Sequence, residues 1–296
     1  MRKKSGEDVE FILTYVNAKN NDYRQLCHAS NLLGKWHGNR LSSKQTDALF
    51  DILEQYYIYL RGNLDISGFS KSVIEKRVAL LNDYYNFYNE NNYDNTFTSQ
   101  GKFRPTILEE FMFLLFKDYV EYLKKKFHDD GDIIDSGAAK AYTNLYFTSN
   151  NFESFVKSPS IEINVKDQDF AIFRNFKLVI NDATKDIRIP IIAIENKTYI
   201  DKTMLEGIIS TAEKIKTGNP YAMFIAVAEN YDVDLGVDPA YSRINQIYVL
   251  RKCKRKEAWA DIDAKVVWRL FSEVKEHIER PWSDVESKMR NEGVIL

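Results

Sequence analysis

The stretch that decides the fold is IPIIAIENKTYIDKTMLEG, residues 189–207. It opens with an apolar, β-branched run, which is typical of a strand buried on both faces. Glu195 and Lys197 follow two positions apart, so both side chains would leave such a strand on the same side. Charged residues rarely accompany a buried strand unless they are paired or bind a ligand. The stretch therefore indicates a functional site at the end of a core strand.

A second strand candidate, residues 169–180, begins with Asp169, and Asp167 lies two residues earlier. If this strand and the one carrying Glu195 form a hairpin, Asp169 lies close to Glu195 and Lys197. Carboxylates suit Mg²⁺, which binds one or two of them and keeps water for a substrate phosphate. A nearby lysine can stabilise charge that develops on phosphorus. An isolated Glu-x-Lys triplet is usually a solvated strand end. The apolar strand before it, the helix after it and the upstream aspartate at a strand start together favour a site.

Hydrophobic periodicity after residue 103 predicts an α/β (α+β mixed) fold, in which a central mixed sheet is flanked by helices on both faces. Asp201 is a candidate N-cap for the helix that follows the Glu195 strand. We predict helices at 104–127, 136–147, 201–216 and 261–280, and strands at 160–165, 169–180, 187–199, 221–229 and 244–251.

The N-terminal third has only helical patterns. We predict a helical domain over residues 1–95, for DNA recognition or subunit contact, and a catalytic domain over residues 103–296. The polar stretch 89–102 is interpreted as a linker or exposed loop.

Composition excludes several classes of protein. Among the 296 residues, 44% are hydrophobic and 28% charged, which is typical of a globular chain. Cys27 and Cys253 form no close pair, so a zinc site or disulfide framework is not expected. No signal peptide or membrane span is evident, and we expect a cytoplasmic protein with no membrane partner. The net charge of −2 limits DNA binding to local basic surfaces. The run RKCKRK, residues 251–256, is either such a surface or a solvated loop.

Together, DQDFAIF (residues 167–173) and the opening stretch resemble the PD-(D/E)XK nuclease motif, with Asp169 and Glu195-Asn196-Lys197 in the motif positions. The order of elements over about residues 104–280 is similar to the core of that restriction-endonuclease-like fold. The longer segment AIENKTYIDKTMLEGIISTAEKIKTGNPYAMFIAVAENYDV, residues 193–233, resembles type II restriction endonucleases of the BbvCI kind, which cut short asymmetric sites as two different subunits. The proline of the motif is absent, because Gln168 precedes Asp169.

The resemblance implies roles for individual residues. Asp169 and Glu195 would bind Mg²⁺, with the backbone carbonyl of Asn196 as a further ligand, and Lys197 would assist the attacking water. Asp167 remains an alternative to Asp169. Related nucleases often bring a glutamate from the first helix towards the metal, which implicates Glu110 as catalytic, with Glu109 as the alternative.

The function implied is that of one subunit of a type II restriction endonuclease: Mg²⁺-dependent hydrolysis of double-stranded DNA at a specific short site, leaving a 5′-phosphate. A cut through both strands needs two active sites, hence a second, homologous subunit or a self-dimer, whereas a single chain would nick. The alternatives are a PD-(D/E)XK nuclease of DNA repair or transposition, and a non-catalytic DNA-binding protein. The recognition sequence depends on loop geometry that the sequence does not reveal.

Overall fold

In the computed structural model, the described residues are 6–38, 41–97, 103–128, 133–180 and 183–294. Part of the predicted linker, residues 98–102, lies outside them. The helices are α1 Gly6–Tyr23, α2 Cys27–His37, α3 Ser43–Asp65, α4 Lys71–Glu90, α5 Tyr93–Thr96, α6 Arg104–Lys126, α7 Phe152–Lys157, α8 Lys202–Gly218, α9 Ala264–Glu279 and α10 Val285–Ser287, with a 3₁₀ turn at Pro239–Tyr241 and a π turn at Lys288–Glu292. The strands are β1 Ile134–Thr148, β2 Ser160–Ile180, β3 Ala183–Ile200, β4 Met223–Tyr231 and β5 Gln246–Val249.

The five strands form one mixed sheet in the order β1-β2-β3-β4-β5. β1, β2 and β3 are antiparallel neighbours, whereas β3, β4 and β5 run parallel. Parallel neighbours need a crossover, and α8 supplies it between β3 and β4. The predicted mixed α/β fold is confirmed.

Helices cover both faces of the sheet. On one face, Ile192 and Ile194 belong to a large hydrophobic core that includes residues of α6 and α9. On the other face, Ala193 packs in a smaller core with Leu205 and Ile208 of α8. Alternate residues of β3 therefore pack into two cores, which explains why its sequence is apolar at every position from Ile189 to Ile194.

The helix predicted at residues 136–147 is wrong, because this segment belongs to β1. It pairs with β2 along most of its length, from Ile134 opposite Arg174 to Thr148 opposite Ser160. The strands predicted at 160–165 and 169–180 are parts of the single strand β2. Irregular register near Gly137 and Ala139 lets the long strand bend without ending.

The N-terminal helices share the large core with the sheet. Leu32, Leu53 and Tyr85 lie in the same buried cluster as Phe116 of α6 and Phe271 of α9. The predicted linker is not uniformly exposed, since Tyr93 and Phe97 are buried. The division into domains at residues 95 and 103 stays a prediction. Among the helices that the structure describes, none combines the length and apolar character of a membrane-spanning segment.

Candidate active site

Two strands bring an aspartate and a glutamate together at one end of their ladder. β2 and β3 are antiparallel, and Phe170 lies opposite Ile194. Asp169 and Glu195 are therefore the next residues along the two strands. The hairpin inferred from the sequence explains the arrangement: the start of the apolar part of β2 lies beside the end of the apolar part of β3.

Hydrogen bonds and charge attraction fix these side chains. The backbone N–H of Asn196 donates to Oδ2 of Asp169 at 2.7 Å. The ammonium of Lys197 donates to Oε1 of Glu195 at 2.7 Å and lies 3.9 Å from Oδ2 of Asp169. The side chains of Asp169 and Lys197 are 29% exposed and that of Glu195 17%, so the cluster is largely buried yet open to a ligand.

The electrostatics reflect like charges crowded in a half-buried site. Burial raises the pKa of Asp169, and the neighbouring carboxylate of Glu195 raises it further. For Lys197, burial alone would lower the pKa. The hydrogen bond to Glu195 and the charges of Glu195, Asp169 and Glu109 outweigh burial, so the pKa of Lys197 is raised and its ammonium is stabilised.

A third carboxylate, from α6, faces the same cluster. Burial first and the charge of Asp169 second raise the pKa of Glu109 to about 7, while the ammonium of Lys197 opposes that rise. The thiol of Cys27 lies 3.9 Å from Oε2 of Glu109. The site therefore gathers three acids around one ammonium.

Glu110, expected at the site, is not brought there. Its side chain is fully buried, and its Oε2 accepts the backbone N–H groups of His28 at 2.9 Å and Ala29 at 3.0 Å. Its Oε1 accepts the hydroxyl of Tyr56 at 2.8 Å. Glu110 thus satisfies free N–H groups at the start of α2, where Leu26 supplies no side-chain cap. Between the two glutamates left open by the sequence, Glu109 faces the cluster.

The other sequence candidates are placed as follows. Asp167 is exposed and lies opposite Lys140 of β1, away from the Glu195 pair. The side chain of Asn196 is buried and, in the described part of the molecule, neither its Oδ1 nor its Nδ2 has a hydrogen-bond partner. The role of the Asn196 backbone carbonyl as a metal ligand, which the resemblance implies, stays a prediction.

The chemistry of the donor set fits a hard divalent cation. Asp169 and Glu195 present oxygen atoms from adjacent strand positions, and their mutual repulsion would be relieved by a cation. Within the described residues, no group of three His, Cys, Asp or Glu side chains is already arranged to hold a metal. Mg²⁺ commonly uses only one or two protein carboxylates and fills its shell with water and phosphate oxygens.

The basic run at residues 251–256 begins with a buried arginine, and its other cations are exposed. Arg251 is buried and pairs with Glu229 at 2.9 Å. Lys252 pairs with Asp263. Arg255 pairs with Asp232 at 3.3 Å and lies over the ring of Tyr199. Nothing in the sequence RKCKRK distinguishes the buried Arg251 from the exposed cations that follow it.

Sequence reasoning missed one contact of the site, that of Cys27 with Glu109. Cys27 lies at the start of α2, 82 residues before Glu109, and the sequence contains no spacing that links the two. The docking of α2 against α6 creates this contact, so only the tertiary structure reveals it.

Known proteins resemble the chain in sequence and in fold. The sequence profile of the Bpu10I restriction endonuclease family matches residues 100–280. Among solved structures, the chain is similar to one described as native BbvCI A2B2 tetramer at low resolution, with a TM-score of 0.66 and 20% sequence identity, over 86% of this chain and 95% of that chain. Among curated protein sequences, none matches at a significant level.

Proposed function

Because the chain belongs to the Bpu10I restriction endonuclease family, we propose that it hydrolyses phosphodiester bonds of double-stranded DNA at a specific short site in a Mg²⁺-dependent reaction. Asp169, Glu195 and Lys197 are the residues that carry the reaction. The observation that supports this choice is their convergence: two carboxylates from paired strands and an ammonium within 3.9 Å of both.

Asp169 and Glu195 would hold the metal, with the carbonyl oxygen of Asn196 as a further ligand. The backbone N–H of Asn196 holds one oxygen of Asp169, which limits rotation of that carboxylate. Bound Mg²⁺ supplies positive charge that polarises the phosphate and favours deprotonation of water.

Lys197 acts on the water and on the phosphate oxygen. Its ammonium uses one N–H to bind Glu195, so its other N–H groups remain to orient a water or to stabilise negative charge on a phosphate oxygen. The raised pKa of Lys197 means that it performs this task as a cation. The product would carry a 5′-phosphate.

Glu109 is the acid from α6 that assists this site, in place of Glu110. Its pKa of about 7 lets it accept a proton at neutral pH more readily than an ordinary glutamate. Within the described residues, the side-chain hydrogen bonds of the fully buried Glu110 go to α2 and α3, and it acts as a structural residue.

We further propose that the chain works with a second, homologous subunit. One active site cuts one strand, so a double-strand cut requires two. The structurally similar BbvCI is described as an A2B2 tetramer, an assembly of two kinds of subunit. An asymmetric DNA site requires a heterodimer, because the two identical subunits of a self-dimer would present the same DNA-recognition surface to both halves of the site.

The test is cleavage of a plasmid by the Lys197→Ala variant in Mg²⁺, with Lys202→Ala as the matched control. Lys202 is an exposed lysine at the start of α8, five residues further along the chain. We expect Lys197→Ala to lose at least about a hundredfold in cleavage rate, in line with loss of a group that stabilises transition-state charge, while DNA binding persists. Lys202→Ala should cut as the parent does. Undiminished cleavage by Lys197→Ala would refute the assignment.

The same assay distinguishes the forms of the enzyme. The chain is incubated with plasmid first alone and then together with a homologous second subunit. Discrete linear fragments only in the mixture indicate a heterodimer, nicked circles from the chain alone indicate a single-strand activity, and a smear indicates a nuclease without site specificity.

A further inference from the structure

A basic groove lies on the three antiparallel strands, apart from the acid cluster. Its volume is about 750 Å³, and its lining includes Lys140 of β1, Val165 and Lys177 of β2, and Arg188 of β3. β1 also contacts β3 directly, with Ala141 opposite Arg188. Lys140 precedes Ala141 along β1, and the side chains of Lys140 and Arg188 both line the groove near the point where the two strands meet.

Within the described residues, Lys140, Lys177 and Arg188 have no carboxylate within ion-pair distance. The strand register places Asp167 opposite Lys140 and Asp186 opposite Lys177, but neither pair closes to a salt bridge. Most other described arginines pair with a carboxylate, among them Arg61, Arg77, Arg104, Arg243, Arg251, Arg255, Arg269 and Arg290. Three cations and a single carboxylate line the groove, so its charge is positive and favours an anionic ligand.

A cation–π contact holds the guanidinium of Arg188, whose carbon lies 5.2 Å from the centre of the Phe173 ring. This contact uses none of the N–H donors, and the planar fork of N–H groups matches two phosphate oxygens. A groove that also exposes Val165 and Phe176 offers apolar surface to the sugars beside such a phosphate.

The distance between the groove and the acid cluster fits the dimensions of a DNA duplex. Asn175, opposite Arg188, is six residues along β2 from Asp169. At about 3.3 Å per strand residue this is roughly 20 Å. That span exceeds the spacing of successive phosphates but lies within the diameter of a DNA duplex. A duplex with one phosphate at Asp169 and Glu195 could therefore bring another phosphate to the groove.

We propose that this groove binds the sugar–phosphate backbone of the DNA substrate, with Lys140 and Arg188 as the phosphate contacts and Lys177 at the rim. The inference rests on the proposed function, because it concerns the same substrate. It assigns contact with the DNA backbone to the β1–β2–β3 surface. In the basic run at residues 251–256, Arg251, Lys252 and Arg255 already pair with carboxylates, which leaves only Lys254 and Lys256 without an ion pair among the described residues.

The test measures binding of the full-length chain to a short DNA duplex of arbitrary sequence, without divalent metal, at several salt concentrations. The double variant Lys140→Gln/Arg188→Gln is compared with Lys157→Gln/Arg243→Gln. The control removes the same formal charge from exposed cations that already pair with Glu153 and Glu213. Lys140→Arg/Arg188→Lys keeps both charges, and thermal midpoints verify that each variant folds.

We expect the groove variant to bind about tenfold more weakly at about 50 mM salt, and the slope of log affinity against log salt to fall by about two, because each phosphate contact contributes roughly 0.9 to that slope. The control and the charge-preserving variant should bind as the parent does. Equal affinities and salt slopes for the groove variant and the control would overturn the groove assignment. The proposed function would still stand if the parent binds and cuts DNA. Failure of the parent to bind or cut any duplex would defeat both.

Discussion

Two adjacent glutamates on α6 have opposite environments. One helical residue corresponds to a rotation of about 100°, so Glu109 faces the acid cluster while Glu110 points at the start of α2. The sequence TILEEFMF identifies the helix and both acids, but it does not identify which side of the helix α2 covers. That orientation depends on packing between segments more than seventy residues apart, which local periodicity cannot predict.

By contrast, the sequence predicted the trio Asp169, Glu195 and Lys197 as one cluster. A strand alternates its side chains with a period of two, so Glu195 and Lys197 share a face without any tertiary information. The hairpin then places Asp169 beside them through its register. Whether these residues bind Mg²⁺ and cut DNA stays a prediction that the cleavage experiment tests.

The two glutamates should respond differently to truncation. Glu110→Ala removes the acceptor of two backbone N–H groups and the Tyr56 hydroxyl in a fully buried site. We expect a loss of about 2–4 kcal/mol in the free energy of unfolding, since buried donors are left unsatisfied. Glu109→Ala should not lower that free energy at neutral pH, because it removes a carboxylate whose ionisation is disfavoured by burial, but it should slow DNA cleavage. Urea unfolding and plasmid cleavage measure the two effects. A stable Glu110→Ala variant would contradict the structural role.

Glu109 also predicts a pH dependence in the metal-free protein. Its pKa is raised from 4.5 to about 7 by burial and by Asp169. Folding then favours the protonated form, so the stabilisation is complete below about 4.5 and is lost as the pH rises to about 7. Glu109→Gln cannot ionise. Relative to this variant, the parent should lose about 2 kcal/mol of unfolding free energy between pH 5 and pH 8, allowing for partial solvent screening.

The measurement is urea unfolding of both proteins at the two pH values, with chelator present. The contribution from Glu110, whose pKa is also raised, is common to both proteins, and the coupling between Glu109 and Asp169 is part of the measured difference. A constant difference between parent and variant across this range would contradict the raised pKa of Glu109.

At the scale of elements, β1 shows how pairing overrides local preference. The segment SGAAKAYTNLYF contains alanine, lysine and leucine, which favour helix, yet it lies antiparallel to β2 along most of its length. The buried residues Ala139 and Ala141 alternate with the exposed Lys140. That alternation is a signal present in the sequence, but small alanines make it weak, and the stabilising partner strand begins more than ten residues later.

The end of α8 is held against β1 by a glycine. A Cβ on Gly218 would lie 2.3 Å from the backbone oxygen of Thr143, a contact that neither partner can relieve by side-chain rotation. Gly207, on the same helix, has open space around its Cβ position. We expect Gly218→Ala to destabilise the protein by about 1–3 kcal/mol through overpacking. Gly207→Ala should stabilise it by about 0.5–1 kcal/mol through helix propensity.

Thermal unfolding of the two variants checks this pair. Both changes add one methyl group to one helix, so their opposite signs isolate the contact with β1 from the general effect of alanine. Equal shifts of the two melting temperatures would show that α8 does not approach β1 as closely as 2.3 Å implies.

At the scale of the whole molecule, a buried ion cluster joins the N-terminal helices to the sheet. Glu229 of β4 accepts from Arg104 at 2.7 Å and from Arg251 at 2.9 Å. Arg104 also donates to Asn89 of α4 at 2.6 Å. Both guanidiniums lie over the ring of Tyr85 of α4. Together with the shared hydrophobic core, this cluster couples residues on both sides of the predicted domain boundary.

The coupling predicts that the chain unfolds as one unit. Glu229→Gln leaves two buried cations without their anion, which should cost about 3–5 kcal/mol. If the helices and the sheet are one cooperative unit, scanning calorimetry will show a single transition that moves to lower temperature as a whole, with equal calorimetric and van't Hoff enthalpies. Glu213→Gln, which breaks the exposed pair with Arg243, should move the midpoint little. Two separate transitions, of which Glu229→Gln shifts only one, would instead show that residues 1–95 fold independently of the sheet.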